Sequence, residues 1–177
     1  MDNIAILGVG NILERDDGFA VYVTKFLESN YDFTPYIDII NGGVEGINLL
    51  NVFMQYKRII ILDAIGIEDE AGSIYHIPSE ELTGYGINSG GAHEVGVIQC
   101  IDMLELMGKE LPNSSVLGII PEEVYVNIGL SPTIHSKFEE YVNALLNILK
   151  KEGVEVKEKE QKISLDEIIE NFQEARS

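Results

Sequence analysis

Arg58-Ile59-Ile60-Ile61-Leu62-Asp63 sets four aliphatic side chains in a row between two charged ones. A strand with one face in water alternates apolar and polar residues. This stretch does not alternate, so both of its faces are covered, as in the middle of a parallel sheet. Working outward, Asn3-Ile4-Ala5-Ile6-Leu7-Gly8 is a run of the same kind, ended by glycine. Tyr36-Ile37-Asp38-Ile39-Ile40 closes on Asn41-Gly42-Gly43, and Ser115-Val116-Leu117-Gly118-Ile119-Ile120 stops at Pro121. Ser73-Ile74-Tyr75-His76-Ile77-Pro78 is shorter, and its terminal proline places it near an edge. Between these runs the apolar spacing turns helical. Phe19, Val23, Phe26 and Leu27 predict a helix over 17–29, and Ile47, Leu50 and Met54 predict one over 44–55. Val97, Ile98, Ile101 and Leu104 mark 94–107; Ile134, Phe138, Tyr141, Leu145 and Ile148 mark 131–151. Ser131-Pro132 reads as the start of the last of these, with the hydroxyl as N-cap and proline at the first helical position. Residues 79–92 are polar, carry Gly84, Gly86, Gly90 and Gly91, and predict a mobile loop. Strands alternating with helices give a single-domain open, mostly parallel α/β sheet flanked by helices on both faces. That domain covers 1–153. Residues 154–177 add a charged linker and a short amphipathic helix, with Ser164-Leu165-Asp166-Glu167 as its capping box.

A chain of 177 residues suits one such domain. Its 30 acidic and 12 basic side chains give a net charge of −18. Half of the basic residues lie at or beyond Lys150, so the first 149 positions oppose six cations to 22 anions. Such a surface cannot neutralise a run of phosphates, which excludes nucleic acid and anionic membranes as partners. A basic or metal-bearing partner is attracted instead. The single cysteine, Cys100, rules out an internal disulfide and a Cys-rich zinc site, and its apolar-periodic setting predicts a buried thiol. No apolar run reaches the roughly 18 residues of a spanning helix, and Met1-Asp2-Asn3 leads directly into a strand. A cytoplasmic protein is the expectation.

In open α/β sheets ligands collect beyond the carboxyl ends of the strands. Here that edge receives Gly8-Val9-Gly10-Asn11 and Asp16-Asp17-Gly18 after the first strand, Asn41 after the second and Asp63 at the end of the third. His93 follows the glycine-rich loop at a helix start. Asp16 or Asp17 could cap the following helix, and a loop amide would satisfy Asp63. Together, two carboxylates and an imidazole also form an O,O,N donor set for a divalent metal with coordination positions left open. Other chemistries fail on their spacing. Leu13 stands where a dinucleotide fingerprint needs its third glycine, and no P-loop or Gly-x-Ser-x-Gly elbow is present. His93-Glu94 lacks the second histidine of a zincin because Val97 occupies it. His76 and His135 read as solvated or locally bonded. The pairs Glu80-Glu81, Glu122-Glu123 and Glu139-Glu140 read as solvated faces.

The ordered set Leu7-Gly8-Val9-Gly10-Asn11, Asp16-Asp17-Gly18, Asn41-Gly42-Gly43, Asp63-Ala64 and Ala92-His93-Glu94-Val95-Gly96 resembles the nickel–iron hydrogenase maturation endopeptidases. Gly118-Ile119-Ile120-Pro121-Glu122 and Gly129-Leu130-Ser131-Pro132 resemble their C-terminal third, so the likeness spans about 3–153. The resemblance implies an aspartic-type peptidase, in family terms, that removes a C-terminal extension from the nickel-loaded large-subunit precursor of a [NiFe]-hydrogenase. It places the family's metal-binding and catalytic set on Asp17, Asp63 and His93. It also makes Asn41-Gly42-Gly43 a substrate-binding turn, with asparagine where many members carry aspartate. Asparagine still offers a hydrogen-bond acceptor there but no charge. The nickel is supplied by the substrate; no tightly bound cofactor is expected, though other divalent metals could occupy the site, and a monomer is the family default. Whether the metal activates water or serves only for recognition stays open at this point. So does the alternative of a non-enzymatic nickel-binding or metallochaperone-like protein.

Overall fold

The structure is a computed structural model that describes residues 3–43, 46–85 and 92–175. Strands β1 (Ile4–Val9), β3 (Asp38–Gly43), β4 (Arg58–Ala64), β5 (Ile74–Pro78) and β6 (Asn113–Ile119) form one sheet in the order β3-β1-β4-β6-β5. All neighbours are parallel except β5, which runs antiparallel to β6 at the edge. A second, two-stranded sheet pairs β2 (Tyr31–Thr34) with β7 (Glu155–Glu158). The helices are α1 (Phe19–Asn30), α2 (Gly46–Gln55), α3 (Ala92–Leu106), α4 (Pro132–Lys151) and α5 (Leu165–Glu174).

The aliphatic run in β4 divides its side chains between two cores. Ile60 and Leu62 join Ile4 and Ile6 of β1 against α1, α4 and α5. Ile59 and Ile61 join Leu7 and Val9 against Leu49 and Phe53 of α2 and Cys100 and Leu104 of α3. Two covered faces are the reason the sequence never alternates there. The first core is aromatic: Phe19 meets Tyr141 edge-to-face at 4.8 Å between ring centroids, and Phe138 meets Phe26 at 5.1 Å. Cys100 is buried, and burial raises its thiol pKa. No described helix is long and apolar enough to cross a membrane.

Four expectations need correction. Residues 155–158, read as charged linker, are strand β7, whose Val156 lies opposite Phe33 and whose Lys157 lies opposite Asp32. β7 offers a single apolar side chain, too little for a period to show, and the ladder sets opposite charges and one apolar pair face to face. Beyond it, Leu165, Ile168 and Ile169 bury against the first core, Phe172 packs edge-to-face on Tyr22, and Ser164 caps α5 by accepting the Glu167 N–H. Residues 79–85, expected within a mobile loop, form a 3-10 helix; 86–91 of that loop lie outside the described residues. Ser131 begins α4 as expected, with proline next, but its hydroxyl is not a cap: it donates to Asp16. The pair Glu122-Glu123 is not simply a solvated face, since Glu123 accepts from Arg15 at 3.0 Å.

Candidate functional site

The parallel strands β1, β3 and β4 end side by side, and their exits diverge. After β1 the chain turns to α1 on one face, and after β3 it turns to α2 on the other. Adjacent strands whose connections leave in opposite directions open a crevice at their carboxyl ends. Gly10 lets the chain leave β1 tightly. Its φ is +156°, and a Cβ there would overlap the Asp17 carbonyl oxygen, so only glycine allows residues 15–18 to fold back as a 3-10 turn over the strand end. That turn packs against β4. Asp17, 8% exposed, and Asp63, 2% exposed, therefore sit on one edge of neighbouring strands. The Asp17 Oδ2 accepts the Asn11 N–H at 3.0 Å, which fixes the carboxylate to the loop that precedes it.

The two adjacent aspartates do different work, and neither caps α1, whose N-cap is Gly18. Asp16 is fully buried and gathers the distant segment 122–131. Its Oδ2 accepts from the Glu122 N–H (3.0 Å), the Glu123 N–H (2.7 Å) and the Ser131 hydroxyl (2.7 Å), while Oδ1 accepts the Ser131 N–H at 2.8 Å. Four donors on one carboxylate make Asp16 the anchor of a surface strap. The sequence motif alone could not distinguish this role from that of Asp17.

Asn41 and the two following glycines close β3. The Asn41 side chain accepts the Gly43 N–H at 3.1 Å, and Gly43 accepts the Gly10 N–H at 3.0 Å, so this turn is tied to the turn after β1. A Cβ on Gly42 would press on Leu7 and the Gly8 carbonyl, which keeps that backbone close to β1. Asn41 also lines a cavity of about 420 Å³ between α1 and α5, formed with Thr24, Ile168 and Phe172; neither Asp17 nor Asp63 lines that cavity. His93 is the second residue of α3, and its side chain lies outside the described residues. Among the described residues, no three His, Cys, Asp or Glu side chains form a ready metal cluster.

One neighbour of the edge did not emerge as a site residue from the sequence. Tyr141 of α4 is wholly buried, donates to the Leu117 carbonyl, and lies within electrostatic reach of Asp63. Burial first, then the Asp63 charge, push its hydroxyl well above the ordinary tyrosine value. It stays protonated under Asp63 as a neutral support. Its only signal in the sequence is its inward place in the 131–151 helix. His76 bonds Ser115 Oγ at 2.9 Å and His135 bonds Asp166 at 2.7 Å, local partners away from this edge.

A family model described as hydrogenase maturation protease matches residues 21–148. The hydrogenase 2 maturation protease of Escherichia coli is 32% identical over 153 residues, covering 86% of this chain and 93% of the relative. The hydrogenase expression/formation protein HupD of Bradyrhizobium diazoefficiens is 26% identical, over 88% of this chain and 82% of its own. Among solved structures, the hydrogenase maturating endopeptidase HybD from E. coli superposes with a TM-score of 0.81 at 31% identity, covering 89% of this chain and 98% of that one.

Proposed function

The chain belongs to the hydrogenase maturation protease family and is a peptidase; from that premise we propose that it removes the C-terminal extension of a nickel-loaded [NiFe]-hydrogenase large-subunit precursor in the cytoplasm. The observation that supports this reading is that Asp17 and Asp63, both nearly buried, lie at the carboxyl edge of adjacent parallel strands; His93, the second residue of α3, is proposed as the third donor. Two carboxylates withdrawn from water on one edge create a field that favours a divalent cation.

Nickel is part of the substrate in this reading. Held by the client's thiolates, it still has coordination positions to fill. Hard carboxylate oxygens and a borderline imidazole nitrogen suit them. Asp17 is oriented by the Asn11 amide, and Asp63 is fixed by the end of a buried strand over Tyr141, so both donors are set before the client arrives. Docked in this way, the nickel places the scissile peptide at the edge. A carboxylate beside it, or the Lewis acidity of the ion, then activates water for attack. The turn at Asn41-Gly42-Gly43, packed close on β1, would offer the client a polar contact from Asn41 where an anion would add charge.

The test uses an unprocessed large subunit purified with and without nickel, mixed with this protein and weighed intact. Loss of a C-terminal peptide from the nickel-loaded form alone is the expected result. An unchanged mass in the nickel-loaded form, with the metal confirmed in place, would overturn the reading.

A further inference from the structure

The strap at 121–130 presents an unusual surface. Val124, Tyr125 and Val126 are 53%, 49% and 85% exposed, and Leu13 beside them is 39% exposed. Three consecutive apolar side chains directed outward normally belong to a floppy tip, yet this one is tied down from several sides. Asp16 accepts three hydrogen bonds at Glu122, Glu123 and the Ser131 amide, and a fourth from the Ser131 hydroxyl. Asn127 exchanges backbone hydrogen bonds with Leu13 and Arg15. Arg15 adopts a left-handed φ of +52°, a conformation that costs a non-glycine residue on the order of 1–2 kcal/mol. In that conformation its side chain bonds Glu123 at 3.0 Å and lies over the Tyr125 ring. A buried carboxylate and a strained arginine thus hold an apolar tip in the open.

We propose that the strap is a preorganised docking element for the large-subunit precursor. In this view Leu13, Val124, Tyr125 and Val126 enter an apolar patch on the client that is rimmed by basic side chains. The inference rests on the peptidase reading above and deepens it by naming a client-binding surface. Continuity carries the placement: Asp16, which anchors the strap, is covalently next to Asp17 of the candidate site, so a client seated on the strap lies across the carboxyl edge. Charge carries the chemistry, since the exposed Glu14 and Glu122 border the apolar tip and the chain carries a net charge of −18. A second copy of this chain is the weaker occupant. Four exposed apolar side chains fall far short of the about 20–30 residues a side of a stable interface, and two copies would oppose like charges. Fixing the tip in advance removes the ordering cost a mobile loop would impose on binding.

The experiment measures cleavage of the nickel-loaded precursor by the wild type, by Val126→Ser alone, and by the combined Leu13→Ser, Val124→Ser, Tyr125→Ser, Val126→Ser variant. These side chains are exposed, so melting temperature is expected to stay near that of the wild type. KM is expected to rise about threefold for the single variant and at least tenfold for the combined one, with kcat within twofold. A purely structural strap would lower stability or kcat instead. If the wild type cleaves and the combined variant shows an unchanged KM, the docking inference falls while the peptidase reading stands. If the wild type itself cleaves nothing, the peptidase reading falls first. A concentration-dependent dimer of the wild type that the combined variant abolishes, with KM unchanged, would assign the strap to self-association and overturn the proposal.

Discussion

The two ends of the central sheet both hold buried charge, and they use it differently. At the amino ends of the strands Arg58, 8% exposed, closes a small network: its Nε donates to Glu152 at 2.8 Å, and its Nη1 donates to the Ile59 and Asn113 carbonyls and to Ser115 Oγ. Three of these four hydrogen bonds tie β4 to another part of the fold, the end of α4 or strand β6. At the carboxyl ends the charge is negative and comes as Asp16, Asp17 and Asp63. Asp16 behaves like Arg58, saturated by four donors from the strap. Asp17, which accepts the Asn11 N–H, and Asp63, near the end of β4, lie at the carboxyl edge itself. Burial of a charged group therefore does not mark function by itself. In the proposed reading what marks it is position, at the carboxyl edge where open α/β sheets collect ligands.

Substitutions can break this comparison, beginning with the strongest. Asp63→Asn keeps the shape of the side chain and removes the charge. Cleavage of the nickel-loaded precursor is expected to fall by at least about 100-fold, the low end of what a positioned acid or base contributes. The melting temperature is expected to stay within a few degrees. Single-turnover cleavage at saturating client checks it, and a rate within threefold of the wild type would remove Asp63 from the chemistry. Asp16→Ala should do the reverse, leaving four donors without their acceptor and costing about 3 kcal/mol of stability, which denaturant unfolding reads directly. Any loss of cleavage there should appear first as a higher KM, because the strap loosens. Arg58→Ala should cost about 2 kcal/mol, less than Asp16→Ala because Glu152 can turn to water, and should leave kcat and KM unchanged. Should Arg58→Ala impair cleavage as much as Asp63→Asn, the division between the two edges would be wrong.

Much of this arrangement was legible before any coordinates. The unbroken aliphatic run of β4 required two covered faces, and the rule for carboxyl edges gathered Asp17, Asp63 and Asn41 because it depends only on strand order and direction. Pairings that depend on long separations were not legible. Nothing near Asp16 announces that its partners are Glu122, Glu123 and Ser131, more than 100 residues away. The Ser131-Pro132 pair gives a strong local helix-start signal, and the long-range bond to Asp16 overrode only its hydroxyl role. The β2–β7 ladder was hidden for a similar reason: β7 is mostly charged, and what joins the two is the register that sets Asp32 against Lys157 and Phe33 against Val156.

The mildest perturbation tests the amino edge by pH. His76 bonds Ser115 Oγ, the same hydroxyl that accepts from Arg58, and its pKa is lowered by burial first and by the nearby Arg58 charge second. Glu152 acts in the opposite sense, and Lys151 adds to the lowering. A histidine whose folded pKa lies below its unfolded value binds fewer protons when folded. Its neutral form therefore contributes fully above the ordinary value of 6.5, and that contribution is lost as pH falls through 6.5 towards the folded value. The wild type should accordingly lose stability relative to His76→Gln as pH drops over that interval, and the two should run parallel above it. Denaturant midpoints collected over about pH 5–8 measure the difference, and the side chain's access to solvent keeps it small. In the Arg58→Ala background the imidazole should titrate closer to 6.5, since one of the two charges that oppose its protonation is gone. An unmoved titration in that background would mean that burial alone sets the shift. Arg58 would then reach His76 only through the shared serine, and the amino edge would be held by its hydrogen bonds, with charge contributing little.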